Sequence, residues 1–220
     1  MKISRVLRAV IFIVPVLGAS AAHANLLTNG SFEDTTNFVN VSNDTDNLAV
    51  GSTAMTGWTV TGSESLAWIG PTNPFGLTAP ASGGMYFLDL TDYNAGAPFS
   101  GVSQNIATTA GATYSLTFEL GSSPAYGLQD GVTASAGSHS QIFTTTNSGS
   151  QTNLWQTESL SFTASGTSTT ISIVGNSGSN YIGLDNVGVV QTAVPLPATA
   201  YLMLSGLLGV GAMARRRRAV

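Results

Sequence analysis

The sequence predicts an all-β protein folded as a β-sandwich, and three observations carry that reading. Short runs alternate apolar and polar residues with a period of two, and clusters of Gly, Asn, Ser and Pro separate those runs. Between residues 25 and 190 no stretch holds a helical period over ten residues. Many short strands divided by turn signals are the pattern of a sandwich.

In chain order, the first 24 residues read as an export signal. Lys2, Arg5 and Arg8 precede an apolar stretch, Ala9 to Ala19, and the segment closes on Ala22-His23-Ala24. That ending is the small-x-small pattern cut by signal peptidase, which makes Asn25 the expected mature terminus. The apolar stretch falls short of the roughly 20 residues that a membrane-spanning helix needs.

The segment 25–190 is the expected domain, a length that can bury a full core. Tyr114, Leu116, Phe118 and Leu120 alternate with Ser115, Thr117 and Glu119, a half-buried strand. Ile171 and Ile173 flank Ser172, and Ile182 and Leu184 flank Gly183; Val187 and Val189 resume the period after Asp185-Asn186. Trp58–Thr61, Met85–Leu90 and Leu160–Thr163 are further strand candidates. Turns are expected at Asn29-Gly30, Ser82-Gly83-Gly84, Gly121-Ser122-Ser123-Pro124 and Asn176-Ser177-Gly178. The polar stretch 37–51 and the three-proline stretch 71–80 are expected as loops, the latter with Phe75 and Leu77 either tucked in or exposed.

Charge narrows the function. The chain has seven Lys and Arg against eleven Asp and Glu, and charged residues make up 8 % of it, where about 25 % is ordinary. All seven cations lie at the two ends, and none falls between Ala9 and Ala214. All eleven acids fall inside that interval, so the domain is a polyanion without a single Lys or Arg. It cannot neutralise phosphates in the usual way, which argues against nucleic-acid binding. It also lacks a P-loop lysine, a Schiff-base lysine and any cysteine.

After the linker 191–194, the segment 198–214 is apolar except for Thr199 and Ser205, and Arg215, Arg216, Arg217 and Arg218 follow it. This is the expected membrane helix with a cytoplasmic stop, leaving residues 25–194 outside. With Val194, Pro195, Leu196 and Pro197 ahead of it, the tail resembles the PEP-CTERM sorting signal of Gram-negative bacteria. The resemblance implies an exosortase-type processing enzyme as a partner, anchorage in the membrane until processing, and a final place at the cell surface or in the extracellular matrix. Leu196 stands where that signal usually has Glu.

Within the domain, five motifs occur in order: Asn25-Leu26-Leu27-Thr28-Asn29-Gly30-Ser31-Phe32-Glu33, Gly57-Trp58-Thr59-Val60, Gly101-Val102-Ser103-Gln104, Thr113-Tyr114-Ser115-Leu116-Thr117-Phe118, and Gly183-Leu184-Asp185-Asn186-Val187. Together they resemble the choice-of-anchor family of exported bacterial proteins and, more distantly, the galactose-binding-like jelly rolls that serve as carbohydrate-binding modules. The resemblance implies a jelly-roll β-sandwich whose first strand begins at the opening motif. It further implies a structural Ca²⁺ tying the first strand to the last, with Glu33 and Asp185 as ligands and help from backbone carbonyls near Ser31. Ca²⁺ takes six to eight oxygens from carboxylates, carbonyls and water, and this domain offers its carboxylates almost no other counter-ion. Asp89 and Asp92 are further acids without a supporting pattern.

Sugar sites combine flat rings with a few convergent polar groups. Trp58, Phe118 and Trp155 sit on apolar-patterned strands and are expected in the core, whereas Trp68, Tyr93 and Tyr126 lie in or near Gly-, Asn-, Asp- or Pro-containing segments and are the candidate ligand surface. Catalysis has weaker support. His139, the one histidine after residue 24, stands among serines, and no Gly-x-Ser-x-Gly elbow occurs. Glu119 and Glu158 on strand-like segments would be the pair for a secreted glycoside hydrolase. The leading expectation is an exported, non-enzymatic surface protein associated with extracellular polysaccharide, and the alternative is a structural matrix or coat component without a defined ligand.

The cation-free interval makes a direct prediction. Exhaustive trypsin digestion of the denatured chain leaves no cleavage between Ala9 and Arg215, read as one large fragment by mass spectrometry. Any internal tryptic peptide from the domain contradicts it.

Overall fold

The computed structural model describes residues 24–126, 130–145 and 154–192. The expected signal segment up to His23, the sorting motif, the membrane helix and the arginine block lie outside them. Among the described residues no helix is long and apolar enough to cross a membrane.

Eleven strands, numbered in chain order, form two antiparallel sheets packed face to face, with no helix among the described residues. The six-stranded sheet runs β1 (Thr45–Leu48), β3 (Leu66–Ile69), β4 (Phe87–Asp89), β11 (Gly183–Gln191), β6 (Thr113–Ser122) and β9 (Leu154–Thr163). The five-stranded sheet runs β2 (Thr59–Gly62), β5 (Ser100–Ala107), β10 (Ser168–Ser177), β7 (Gly131–Ala136) and β8 (His139–Thr144). From β4 to β7 and from β8 to β11 each successive strand switches sheets, the interleaving of a jelly roll.

Alternation decides where the core sits. On β6, Tyr114, Leu116, Phe118 and Leu120 are all buried, while the residues between them stay half-exposed up to Glu119. They meet Ile171 and Ile173 of β10, Val102 and Ile106 of β5, and Val132 and Ala134 of β7 in one apolar cluster between the sheets. Register reinforces it: Leu116 lies opposite Val189 on one side and Leu160 on the other, and Tyr114 stacks on Phe162 with centroids 5.4 Å apart. The interruption at Asp185-Asn186 is a β-bulge, where the β11–β6 register shifts between Asp185 and Gly188 and Asn186 adopts a left-handed φ of 49°.

Several expectations are corrected. The stretch 37–51 contains β1, in which Thr45, Asp46 and Leu48 are buried; Asp46 is tolerated because its Oδ2 accepts the Val39 amide at 2.9 Å. Gly121 and Ser122 continue β6 against Trp155 and Leu154 instead of turning. Likewise Asn176 and Ser177 finish β10. Met85 is 62 % exposed, and the strand expected from it begins only at Phe87. β11 extends through Gln191, one residue into the expected linker. The opening motif is not a ladder strand, because Asn29 and Phe32 take left-handed φ values of 52° and 57°. It is nevertheless tied to the last strand: Leu26 N donates to Val189 O at 2.8 Å, and Val187 N donates to Gly30 O at 2.8 Å.

β3 is buried on both faces. Leu66 and Trp68 face the main core, while Ala67 and Ile69 join Phe87, Tyr181 and Leu77 in a second cluster on the outer side of the sheet. The 71–80 loop roofs that second cluster. Asn73 pins it by donating from Nδ2 to Gly70 O and Leu77 O at 2.8 and 2.9 Å. Trp155, half-buried instead of central, closes the cluster from β9 and donates from Nε1 to Thr78 O at 2.9 Å.

Candidate functional site

Where the 71–80 loop meets its neighbours it leaves a surface cleft of about 520 Å³. Phe75, Tyr93 and Tyr126 form the apolar part, and Asn43, Asn47, Asn180 and Ser42 supply the polar rim. Each ring is held by a hydrogen bond or a ring contact. Tyr126 donates its hydroxyl to Phe75 O at 3.0 Å, Tyr93 donates to Thr45 Oγ1 at 3.1 Å, and Phe75 and Tyr93 pack at 5.3 Å between centroids, tilted by 47°. Burial pushes the Tyr93 hydroxyl up to about 12, with the charges of Asp89 and Asp92 adding to the effect, so the ring is a neutral phenol at any physiological pH.

The backbone around the cleft is unusual. Asn43, Asp44, Asp92, Tyr93 and Asn180 all adopt left-handed φ between 47° and 67°. For Tyr93 that conformation carries a steric cost, and such costs persist only where surrounding contacts over-determine them. Here those contacts are hydrogen bonds: the Asp92 side chain accepts from Asn47 Nδ2 and from Ser65 Oγ, and the Asn180 backbone N donates to Asn94 O at 2.8 Å. Asp44 Oδ2 accepts the Thr72 amide and hydroxyl at 2.7 and 2.8 Å, fixing the start of the roof loop.

Of the three ring residues expected at a ligand surface, Tyr93 and Tyr126 come together in this cleft. Trp68 does not: it is fully buried on β3, with Nε1 donating to Phe32 O at 3.2 Å and the ring edge-on to Phe38. Gly and Pro follow Trp68 closely, yet the residue itself lies in a short strand covered on both faces. Phe75 is expected only as a loop residue, tucked in or exposed, and the three asparagines carry no expectation; for Asn43 and Asn47 the available signal is the density of Asn in 37–47.

A second constellation surrounds Gly83-Gly84. Glu33 Oε1 accepts the amides of Met85 and Tyr86 at 2.7 and 2.6 Å. Asp185 is fully buried; its Oδ1 accepts the Asn186 amide at 2.6 Å, and its Oδ2 meets no donor. The chain threads between the two carboxylates. A Cβ on Gly83 would collide with Asp185 Oδ2, and one on Gly84, whose φ is +100°, would collide with the Glu33 carboxylate. Glu119 is the third acid nearby, accepting from Ser82 Oγ at 3.1 Å and Asn186 Nδ2 at 3.2 Å. Burial raises the Asp185 carboxyl to about 8, and the charges of Glu33 and Glu119 push the same way. Ser31 lies half-buried in the turn closed by the Phe32 N–Asn29 O bond of 3.2 Å. Among the described residues no three His, Cys, Asp or Glu side chains group as a metal site, so a cation here would draw on backbone and water oxygens too.

Glu119 and Glu158 do not converge. Glu158 pairs with Phe118 across β6–β9 and Glu119 pairs with Thr157, which puts the two acids on opposite faces of the sheet. His139 is exposed at the start of β8.

These features define an all-β sandwich with a loop-built aromatic and amide cleft on its surface. The chain belongs to the DUF642 family, described as a protein family of unknown function, whose model matches residues 25–183. Halomucin of Haloquadratum walsbyi is 29 % identical over 185 residues, covering 82 % of this chain; the chain spans about 2 % of the length of that relative. Among solved structures, TmCBM61 in complex with β-1,4-galactotriose is similar at a TM-score of 0.47 and 17 % identity, covering 77 % of this chain and 99 % of its own. A putative sugar-binding protein from Bacteroides thetaiotaomicron is similar at 0.47 and 10 %, covering 77 % and 100 %. The K2 cleaved adhesin domain of Lys-gingipain is similar at 0.45 and 13 %, covering 70 % and 100 %.

The buried acids set a pH dependence. Burial raises Asp89 to about 6 and Asp130 to about 8, the latter also by the charge of Asp89, and Asp185 stands at about 8. A carboxyl whose folded pKa lies above its unfolded one stabilises the fold fully below the unfolded value and loses that contribution as pH rises through the folded value. In chelator the melting temperature therefore falls as pH rises from about 4 to beyond 8, as measured by circular dichroism. A flat or rising profile in that window contradicts it.

Proposed function

We propose that this is an exported, surface-associated, non-catalytic protein whose Phe75–Tyr93–Tyr126 cleft binds extracellular polysaccharide of neutral charge. The carrying observation is the cleft itself: three fixed rings beside three amides and a serine hydroxyl, on loops held by side-chain hydrogen bonds. Rings take the apolar face of a pyranose, while amides satisfy its hydroxyls as donor and acceptor together. A domain with eleven acids and no Lys or Arg repels polyanions, so an uncharged glycan is the fitting partner.

Export follows the two ends: signal peptidase acts after Ala24, and an exosortase-type enzyme acts near Val194-Pro195-Leu196-Pro197, with the 198–214 helix and Arg215–Arg218 holding the precursor in the membrane. Glu33 and Asp185 would hold a structural Ca²⁺. The buried, unpartnered Asp185 Oδ2 fits that role, since a divalent ion supplies the positive charge that no Lys or Arg provides. The ion would fasten the N-terminal segment to β11.

Two measurements test this reading. In affinity electrophoresis through the cell's own exopolysaccharide, Tyr93→Ala and Phe75→Ala each weaken retention roughly 3- to 10-fold, the worth of one aromatic contact. Trp68→Ala instead destabilises the fold by about 3–5 kcal/mol. Retention unchanged in both cleft variants favours a structural matrix role without a defined ligand. For the cation, saturating Ca²⁺ raises the melting temperature by roughly 5–10 °C at a hundredfold excess over Kd. The shift shrinks in the Glu33→Gln/Asp185→Asn chain, and an undiminished shift removes that pair as ligands.

A further inference from the structure

A separate pair of acids lies against the 178–182 loop, which carries Asn180 of the cleft. Asp89, at the end of β4, is fully buried. Its Oδ1 accepts the amides of Thr91 and Ile182 at 2.9 and 3.0 Å and the Thr91 hydroxyl at 2.9 Å. Its Oδ2 is buried and meets no donor. Asp130, which enters β7, is also fully buried, and both of its carboxylate oxygens lack a hydrogen-bond partner. The Asp130 backbone is clamped to Thr145, donating to Thr145 Oγ1 at 3.1 Å and accepting the Thr145 amide at 2.8 Å. The Ser179 amide beside Asp130 and the Tyr93 amide beside Asp89 each favour the charged form, although neither comes within full hydrogen-bond geometry.

One loop runs past both acids. Ile182 N bonds Asp89, and at the loop's other end a Cβ on Gly178 would stand 3.0 Å from Asp130 Oδ1. Three buried carboxylate oxygens therefore have no donor within hydrogen-bond geometry, on two acids that the 178–182 loop touches at its two ends. A buried carboxylate left unpaired costs several kcal/mol. No Lys or Arg exists in the domain to offset it, and His139 is exposed at the start of β8. A single proton satisfies one lone oxygen and leaves a buried negative charge, whereas a divalent ion neutralises both acids at once.

We infer that Asp89 and Asp130 form a second cation site, distinct from the Glu33–Asp185 pair, that takes Ca²⁺. The donor set is all oxygen and carries two negative charges, which suits a hard cation; Mg²⁺ keeps several of its waters, which a fully buried pair does not accommodate. Backbone carbonyls of the surrounding loops would complete the coordination. The ion would join the end of β4 to the entry of β7, both against the 178–182 loop. The segment after β4 carries Tyr93 and the 178–182 loop carries Asn180, both on the cleft, and the two are joined by the Asn180 N–Asn94 O bond. The cation would thus brace two of the segments from which the cleft is built.

The test reads calcium alone, so its result is independent of the polysaccharide reading. Equilibrium dialysis at pH 7.5 uses the full chain carrying Glu33→Gln and Asp185→Asn, which removes the other pair. One calcium per chain remains bound, and adding Asp130→Asn abolishes it. Asp89→Asn, added instead, is the second variant and gives the same loss. Both asparagine changes are close in shape and remove a buried charge, so circular dichroism in chelator shows the folded spectrum. Absence of bound calcium in the starting chain overturns the inference, and so does calcium that survives both changes in folded protein.

Discussion

Every buried carboxylate in this sandwich has to be held without an ammonium or guanidinium group, and much of the loop architecture follows from that constraint. Asp89 gathers two amides and a hydroxyl, Asp46 one amide and Asp185 one amide, and the exposed Glu33 takes two more. Most of these bonds fix a loop or turn against a strand, and the Asp185–Asn186 bond lies at the β11 bulge. Carboxylates here do the work that salt bridges do elsewhere, with the backbone as the donor. The supply of amides runs out at Asp130 and at the second oxygens of Asp89 and Asp185. Those points are where burial lifts the carboxyls well above their usual range.

The two acid pairs occupy equivalent logical positions on different parts of the fold. Glu33 and Asp185 lie where the N-terminal segment meets β11, with Gly83 and Gly84 passing between them. Asp89 and Asp130 lie where β4 and the entry to β7 meet the 178–182 loop. In both places segments distant in sequence converge through one acid from each, so the stability of the junction depends on what neutralises the acids. Removal of the compensating charge would loosen loops before it loosened the sheets, because the apolar cluster between the sheets contains none of these groups.

How much was legible in the sequence depended on burial being one-sided. β6 and β10 alternate cleanly because one face meets the core and the other meets solvent, and both were readable. The same holds for the bulge, where the period of two visibly restarts at Val187. β3 was not readable, since the roof loop covers its outer face and leaves a continuous apolar tetrad with no alternation. β1 was hidden for the opposite reason: Thr45 and Asp46 are polar yet buried, satisfied by the Asn43 carbonyl, the Tyr93 hydroxyl and the Val39 amide, partners that a hydrophobic pattern does not register. β7 and β8 are built from Ala, Ser, Thr and Gln beside few large apolar residues, so their pattern barely rises above that of a loop.

The cleft shows the same limit at the level of single rings. Trp68 and Tyr93 both stand among Gly, Asn, Asp and Ser, and composition does not separate them. What separates them is the direction of the chain: Trp68 lies on a strand whose alternate residues face the main core, whereas Tyr93 follows Asp92 through two left-handed residues that turn the ring outward to 38 % exposure. Asp92 makes that turn possible by accepting from Asn47 and Ser65, and Asn47 itself lines the cleft. The strained turn, its acidic anchor and the polar rim are therefore one assembly. A ring held in that way loses little freedom on meeting a ligand, which is the thermodynamic advantage of a preorganised surface over a mobile loop.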